Sequence, residues 1–270
     1  MSHPASRLRL LAHGIAELPP DINGEVDGPE YCTILTIKEL RATLNTKEEV
    51  PSVWCGRRLT LASGDEEKKF WVLEGDWNNL SIREGYWYSN RGAEETVLAG
   101  ERPNRVNVAT LDFVLTNPPE PPSRKLRYAV ESSKPKSQQR NPTVLRKHER
   151  EQAYCKPRGW TWREAPRPSE QSIENHRNLR RWVIPPSWSI DDANDDAREL
   201  AVQLYCTSST KPLNRLLSML GKRLGISEND QEFVFAAAYY LGYLGLDHSK
   251  PLDPFRPLSL APSPRWKRPS

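Results

Sequence analysis

Residues 106–134 read VNVATLDFVLTNPPEPPSRKLRYAVESSK, and this stretch decides how the fold is interpreted. Residues 106–116 are mostly β-branched or apolar and contain one charged residue, Asp112, a composition typical of a strand. Residues 117–123 contain four prolines, which cannot donate to a sheet and therefore predict a turn or loop. Residues 126–134 alternate in polarity, as a strand with two different faces does. The stretch predicts two neighbouring strands joined by a proline-rich loop.

Asp112 is the one acid inside the first of these strands. An unpaired carboxylate in a low dielectric costs several kcal/mol, so Asp112 should meet a partner, a metal ion or water. Alternation in the second strand places Ser132 and Lys134 on one face and Glu131 on the other. Because Lys134 ends that strand, its ammonium could lie a few ångström from Asp112. The alternative is an edge-strand aspartate that faces solvent.

Further elements are predicted on both sides of this pair of strands. Ser63 and Glu66 form a capping box that opens a helix, and Asn141 is typical of an N-cap before a helix that runs to Gly159. From Glu66 onward the predicted order is helix, three strands, helix, strand, helix. This is the order of a restriction-endonuclease-like core, an α/β mixed sheet flanked by helices, although several α/β folds share it.

The positions of prolines and changes in composition predict that the chain is divided into four parts. An N-terminal segment, 1–53, is expected to be partly ordered, and 54–183 should form the α/β domain. Two prolines near residue 185 predict the boundary to a small, mainly helical domain, 184–250. Its three short helices are typical of a helix-turn-helix or winged-helix module, or of an ordinary three-helix bundle. A Pro/Arg-rich tail, 251–270, is expected to be extended or disordered until it binds a partner or DNA.

Composition limits the classes of protein to which the chain can belong. The 270 residues are 37% hydrophobic, and no apolar run reaches the length of about 18 residues that a membrane helix needs. The four cysteines lie too far apart for a paired motif and the five histidines do not cluster with them, so neither a zinc knuckle nor a disulfide framework is indicated. A net charge of +4 permits a nucleic-acid partner without requiring one. We expect a cytoplasmic protein with no membrane partner.

An acid on one strand and a lysine on the next is the arrangement that a metal-dependent nuclease uses. The carboxylate of Asp112 would bind a hard cation that neutralises charge on the scissile phosphate, while Lys134 orients or deprotonates the attacking water. Glu66 could add another oxygen ligand, but its place in the capping box explains the residue without catalysis. Glu67 is the reserve candidate if the helix register differs by one residue.

A family resemblance becomes visible in residues 145–162, LRKHEREQAYCKPRGWTW, preceded by Lys134 and Pro135 and followed by Asn175 and Trp182. A lysine-proline strand end, a charged helix, a glycine-tryptophan strand and a helix with an asparagine near its middle follow one another. In this order they resemble the TnsA family, the endonuclease subunits of heteromeric transposases. The resemblance implies a restriction-endonuclease-like catalytic domain and a C-terminal winged-helix domain.

Carried over to this sequence, the resemblance implies catalytic roles for Glu66, Asp112, Ser132 and Lys134. Glu66 and Asp112 would bind the metal ion, which would be Mg²⁺ with Mn²⁺ as a substitute. Ser132 departs from the family pattern, which has glutamine or glutamate there, and should hold or align a cation less well. A bulge near Ser132 could instead turn Glu131 into the site.

The resemblance also implies the reaction and the partners. The chain would cut near the 5′ ends of a transposon, while an integrase-like transposase subunit processes the 3′ ends. An AAA+ ATPase regulator would contact the C-terminal region. Two alternatives stay open: an adaptor with a weakened centre that bridges transposase, regulator and DNA, and a stand-alone restriction or repair endonuclease.

Basic residues complete the expected binding surfaces, although a solvated helix face would have a similar pattern. Those near the expected centre would contact the DNA backbone, and they are Lys136, Arg140, Arg146, Lys147 and Arg150. Those in the tail would contact a partner or DNA together with Trp266, and they are Arg256, Arg265, Lys267 and Arg268. Trp266 stands among arginines and is expected to have no core to join.

Overall fold

The computed structural model describes residues 6–33, 48–89, 108–132, 141–184, 189–207 and 210–266. Their architecture is α/β, with a four-stranded mixed sheet flanked by helices and further helices toward the C-terminus. The predicted α/β class is therefore confirmed. The predicted domain boundary near residue 185 lies outside the described residues.

Short elements precede the sheet. Helix α1 (Arg7–Ala12) begins at Ser6, whose hydroxyl accepts a hydrogen bond from the Arg9 N–H at 3.3 Å. Strands β1 (Glu48–Pro51) and β2 (Arg58–Leu61) form an antiparallel pair. Neither α1 nor β1 follows from the sequence pattern, because α1 is only six residues long and β1 only four.

Helix α2 (Gly64–Gly75) begins at the predicted capping box. The Ser63 hydroxyl accepts a hydrogen bond from the Glu66 N–H at 3.2 Å, and the Glu66 carboxylate accepts one from the Ala62 N–H at 2.7 Å. The first bond satisfies an N–H group that the first turn of a helix leaves without a partner, and the second fixes the chain just before the N-cap. Phe70, one turn further on, is fully buried and anchors the helix to the sheet.

The central sheet contains β3 (Ser81–Ser89), β4 (Val108–Asn117), β5 (Arg127–Ser132) and β6 (Thr161–Glu164), in that spatial order. The first three strands are antiparallel, and β6 runs parallel to β5. Phe113 of β4 is paired with Glu131 of β5, and the residues that follow this pair, Asp112 and Ser132, are joined by a side-chain hydrogen bond. Paired residues project to the same face, so the register brings these two side chains together.

Two long helices follow the sheet strands β5 and β6, as predicted. Helix α3 (Pro142–Cys155) begins at Asn141, whose side chain accepts a hydrogen bond from the Thr143 N–H at 2.9 Å. It ends at Cys155 and passes into a short 3-10 turn before Gly159, so the predicted helix is one turn too long. Helix α4 (Glu170–Val183) follows β6.

The sheet separates two hydrophobic clusters. One contains Phe70 of α2, Phe113 of β4 and Leu179 of α4. The other contains Val130 of β5 and Cys155 of α3. Helices α2 and α4 therefore cover one face of the sheet, and α3 covers the face that carries Asp112 and Ser132.

The C-terminal part contains α5 (Asn194–Cys206), α6 (Leu213–Leu224), α7 (Gln231–Tyr240) and a pair of two-residue antiparallel strands, β7 (Gly245–Leu246) and β8 (Leu260–Ala261). Helix α7 is almost wholly buried and packs against both α5 and α4. The core of these helices is continuous with the α2 side of the sheet. No helix of the described ranges has the length and apolar character needed to cross a membrane.

The tail is ordered through residue 266 and lies against the C-terminal helices. The expectation that it is extended or disordered until it binds a partner is therefore corrected. The Leu213 N–H donates to the Arg256 carbonyl at 2.9 Å, and β8 pairs with β7. Trp266 is partly buried against the main core, and its ring centroid lies 5.5 Å from that of Tyr243. The expectation that Trp266 has no core to join is wrong, because the tail folds back onto residues distant in sequence.

Candidate active site

Asp112 is held between a strand neighbour and a helix. Its side chain is only 7% exposed. One carboxylate oxygen, Oδ2, accepts a hydrogen bond from the Ser132 hydroxyl at 3.1 Å. The other, Oδ1, lies 2.8 Å from Nζ of Lys147 on α3. Asp112 therefore has the partner that a buried acid requires. It does not face solvent at the edge of the sheet, which was the alternative prediction.

The ammonium of Lys147 is shared by two carboxylates. Glu151, one turn further along α3, places Oε1 at 3.2 Å from Nζ, and its side chain has no exposed surface. Its second oxygen accepts a hydrogen bond from Nε1 of Trp162 at 2.9 Å. Burial opposes the charged ammonium, but the attraction of Asp112 and Glu151 outweighs it and raises the pKa of Lys147 above its usual range. Lys147 is therefore a permanent cation at neutral pH.

His148 extends this cluster on the side of Ser132. Its Nε2 atom makes a long contact of 3.4 Å with the Ser132 hydroxyl, and its ring centroid lies 5.0 Å from that of Trp162. The Ser132 hydroxyl has one proton and donates it to Asp112, so it accepts from His148 when Nε2 carries hydrogen. Ser132 thus fixes the orientation of the Asp112 carboxylate and is itself fixed by α3.

Glu131 lies on the opposite face of the sheet. Its carboxylate is 2.7 Å from Nζ of Lys69 on α2 and also pairs with Arg163 of β6. Strict alternation along β5 therefore holds, and no bulge turns Glu131 toward Asp112. Of the two neighbouring side chains, Ser132 is the one in contact with Asp112.

Glu66 is placed at the N-terminus of α2, where its carboxylate caps the helix as described above. Helix α2 packs on the sheet face that carries Glu131. Glu67, the reserve candidate, contributes to the electrostatic environment of Arg180 on α4. Lys134 lies outside the described residues. The roles of Glu66, Glu67 and Lys134 in catalysis stay predictions.

The basic residues expected to bind DNA separate into two groups. Arg146 and Arg150 are exposed on the outer side of α3, whereas Lys147 turns inward to Asp112. Lys136 and Arg140 lie outside the described residues. Helix α3 therefore presents cations to solvent and to the candidate site at once.

The donor chemistry around Asp112 fits an oxygen-preferring cation. Asp112 and Glu151 already converge on one cationic atom, and Ser132 adds a hydroxyl beside them. Mg²⁺ is often bound by one or two carboxylates, with water and substrate phosphate completing its shell. Within the described ranges, no group of three or more His, Cys, Asp or Glu side chains is arranged to hold a metal ion. A magnesium ion here would rest on two carboxylates and would compete with the ammonium of Lys147.

The basic residues of the tail have partners within the chain. Arg256 lies 3.5 Å from Asp253, and Arg265 stacks over the ring of Tyr243 at 4.3 Å. Lys267 and Arg268 lie outside the described residues. The partner-binding role of the tail stays a prediction.

No protein-family model matches the chain, and no curated protein matches it. The resemblance to the TnsA family therefore stays a prediction that rests on the order and spacing of the motifs.

Sequence reasoning missed Lys147 and Glu151 as members of the site. Their spacing of four residues on a predicted helix was available as a signal, because such residues share a face. The sequence does not indicate which face of α3 meets the sheet, since Arg146, Lys147 and Arg150 have the same charge. Only the packing of α3 decides that Lys147 is the cation that reaches Asp112.

Proposed function

We propose that the chain is the DNA-cleaving subunit of a heteromeric transposase, acting in the bacterial cytoplasm with an integrase-like transposase and an AAA+ regulator. In this proposal the sheet and its helices form a restriction-endonuclease-like catalytic domain, and α5 to β8 form a winged-helix domain. The observation that carries the proposal is the placement of Asp112. A buried strand acid is oriented by Ser132 and lies next to a helix whose outer side is cationic.

The topology supports the proposed fold. The observed order from α2 is helix, three antiparallel strands, helix, a strand parallel to β5, and helix. This agrees with the order expected from the sequence, and the crossover from β5 through α3 to β6 is the connection that parallel strands need. Fold order alone is shared by several unrelated functions, so the proposal depends on the Asp112 cluster.

The exposed arginines of α3 support binding of a nucleic-acid backbone next to the candidate centre. Arg146 and Arg150 lie one helical turn apart and face solvent. Arginine at this position would contact phosphate oxygens and fix the position of the duplex without reading its sequence. The scissile phosphate would then lie toward the partly exposed side of Lys147, which is 25% exposed.

The residues of the cluster have different tasks in hydrolysis. Lys147 keeps its proton, so it supplies positive charge to a phosphate oxygen and does not act as a base. The carboxylate of Asp112 is a hydrogen-bond acceptor, so it can align a water molecule beside the phosphate. Ser132 holds the carboxylate in one orientation. Asp112 and Glu151 would hold the Mg²⁺ ion, and the chemistry supplied by the bound ion would be that of a Lewis acid toward the phosphate and the attacking water.

Nicking of transposon-end DNA tests the proposal. We expect the chain, mixed with its transposase partner and Mg²⁺, to nick near the 5′ ends, and Asp112→Ala to abolish this nicking while DNA binding persists. Asp195→Ala, which removes an exposed acid of α5, is the matched control and should cleave normally. Equal activity of the Asp112 and Asp195 variants would remove Asp112 from the mechanism.

A non-catalytic adaptor is the second candidate, and the pairing of Asp112 with Lys147 favours it. The ammonium already forms ion pairs with both carboxylates, and serine stands where a stronger ligand is expected. Calorimetric titration with Mg²⁺ and Mn²⁺ separates the two candidates. A heat signal that disappears in Asp112→Ala supports the nuclease, and its absence in the unmodified chain supports the adaptor. Cleavage of plain duplex without any partner would instead indicate a stand-alone nuclease.

A further inference from the structure

Helix α6 is strongly amphipathic. Its apolar side is buried in the core through Leu213, Leu216, Leu217 and Leu220. The twelve residues of the helix include three cations, Arg215, Lys222 and Arg223, and no aspartate or glutamate. A solvated helix face usually carries both signs of charge, so an exclusively basic helix requires a further explanation.

The outer side of α6 borders an open groove of about 720 Å³. Its polar lining consists of Lys211, Asn214, Arg215, Ser218 and Lys222. Every one of these side chains can donate hydrogen bonds, and none of the described residues that line the groove is a carboxylate. Among the described residues of the lining, the apolar side chains are Pro212 and the larger Met219, which is 41% exposed.

Arg215 and Lys222 have no ion-pair partner in the part of the chain that the structure describes. Two other exposed arginines, Arg177 and Arg167, pair with Glu174 and Glu170, whereas α6 has no carboxylate that could pair with Arg215 or Lys222. The two unpaired cations are seven residues apart, which corresponds to about 10 Å along the helix axis. Consecutive phosphates on one DNA strand are about 3.4 Å apart along the duplex axis, so this separation spans about three phosphate steps.

Helix electrostatics do not explain the position of Arg215. Cations in the last turn of a helix are stabilising, which accounts for Lys222 and Arg223. Arg215 is in the first turn of α6 and Lys211 precedes that turn, where the helix dipole disfavours positive charge. Arg215 therefore sits where an external anion would stabilise it.

We infer that the outer face of α6, defined by Lys211, Asn214, Arg215, Ser218 and Lys222, binds the phosphate backbone of duplex DNA. An acidic protein partner fits less well, because a protein interface needs an apolar centre and this face offers only Met219. The inference deepens the proposed function, since it assigns a second DNA contact to the same protein. This contact is separate from the Asp112 cluster and would hold the duplex without reading its sequence.

Fluorescence anisotropy with a short duplex of arbitrary sequence tests the inference. The test variant combines Lys211→Ala, Arg215→Ala and Lys222→Ala. The control combines Arg181→Ala, Arg198→Ala and Arg223→Ala, which remove three exposed cations outside the groove. Both triple variants change the net charge equally, so a long-range effect of charge would be the same in both.

We expect the test variant, but not the control, to lose salt-dependent affinity. Each phosphate contact contributes about 0.9 to the slope of log K against log salt, so three contacts contribute about 2.7. At about 0.15 M salt this corresponds to a loss of affinity on the order of 100-fold. Circular dichroism and thermal melting should show that both variants are folded, since all six side chains are exposed.

The outcomes separate this inference from the proposed function. Equal binding by the two triple variants, or no duplex binding by the unmodified chain, overturns the inference. So does stronger competition by polyglutamate than by duplex DNA for the unmodified chain. Nicking by Asp112→Ala is measured in parallel: loss of nicking together with normal binding by the α6 test variant would leave the proposed function intact and remove only the inference.

Discussion

Replacing Lys147 with methionine should destabilise the protein, because it leaves two carboxylates facing each other. Nζ of Lys147 lies 2.8 Å from Asp112 and 3.2 Å from Glu151, whose side chains are 7% and 0% exposed. Removing one partner of a buried ion pair costs about 3–5 kcal/mol. Lys147 is 25% exposed, so water screens part of the interaction. We expect a loss of about 2–3 kcal/mol in the free energy of unfolding at neutral pH.

The loss should shrink as the pH falls. The ion pairs of Lys147, and the carboxylate repulsion that replaces them in the variant, both require charged carboxylates. Protonation in acid removes both effects, so the difference in stability between the two proteins disappears there. The deficit of Lys147→Met relative to the unmodified protein should therefore be largest at neutral pH and smallest in acid.

Urea unfolding followed by circular dichroism at several pH values measures this deficit. A double-mutant cycle with Asp112→Asn isolates the pairwise part, and the double variant should recover about 1–2 kcal/mol relative to Lys147→Met alone. Arg146→Met, the neighbouring exposed position, should cost no more than about 0.5 kcal/mol. The reasoning is refuted if Lys147→Met costs no more than Arg146→Met, or if its deficit is independent of pH.

Two further predictions concern the interior. His176 and His248 stack with ring centroids 4.3 Å apart, and burial lowers their pKa to about 3 and about 4 from an ordinary 6.5. Stability should be complete above about pH 6.5 and fall as the pH drops toward 4, which melting temperatures at stepped pH will show; a flat profile contradicts this. Gly75→Ala should cost about 1–3 kcal/mol, because its Cβ would lie 2.5 Å from Nε2 of His176 and 2.7 Å from Oη of Tyr239. Gly64→Ala, whose Cβ meets nothing within 4 Å, should be neutral or stabilising in the same urea titration.

Local signals in the sequence were sufficient for most elements of the sheet and its helices. The proline loop and the flanking β-branched run predict β4 and β5, and alternation correctly separates Ser132 from Glu131. Side chains that hydrogen-bond their own backbone mark helix starts, so Ser63 and Asn141 are confirmed as caps. These features depend on neighbours within a few residues, which is the information that a single sequence contains.

Features that depend on long-range packing could not be predicted. Trp266 joins aromatic residues more than twenty positions away, and nothing in its own segment indicates that the tail returns to them. Lys147 and Arg146 are adjacent cations on one helix, yet one enters the candidate site and the other faces solvent. The rotation of α3 about its axis makes this choice, and it is set by the fit of Cys155 and its neighbours against the sheet.

The charged clusters around Asp112 and around Glu131, on the two faces of the sheet, have net charges of opposite sign. On the face covered by α3, Asp112 and Glu151 oppose a single ammonium. On the other face, Glu131 alone opposes two cations. Surplus negative charge attracts a divalent ion and surplus positive charge repels it, so the metal-dependent centre that we propose belongs on the Asp112 face. Rotating Glu131 toward Asp112 would leave those two cations without their carboxylate, so the hydroxyl of Ser132 is the group with which the centre has to operate.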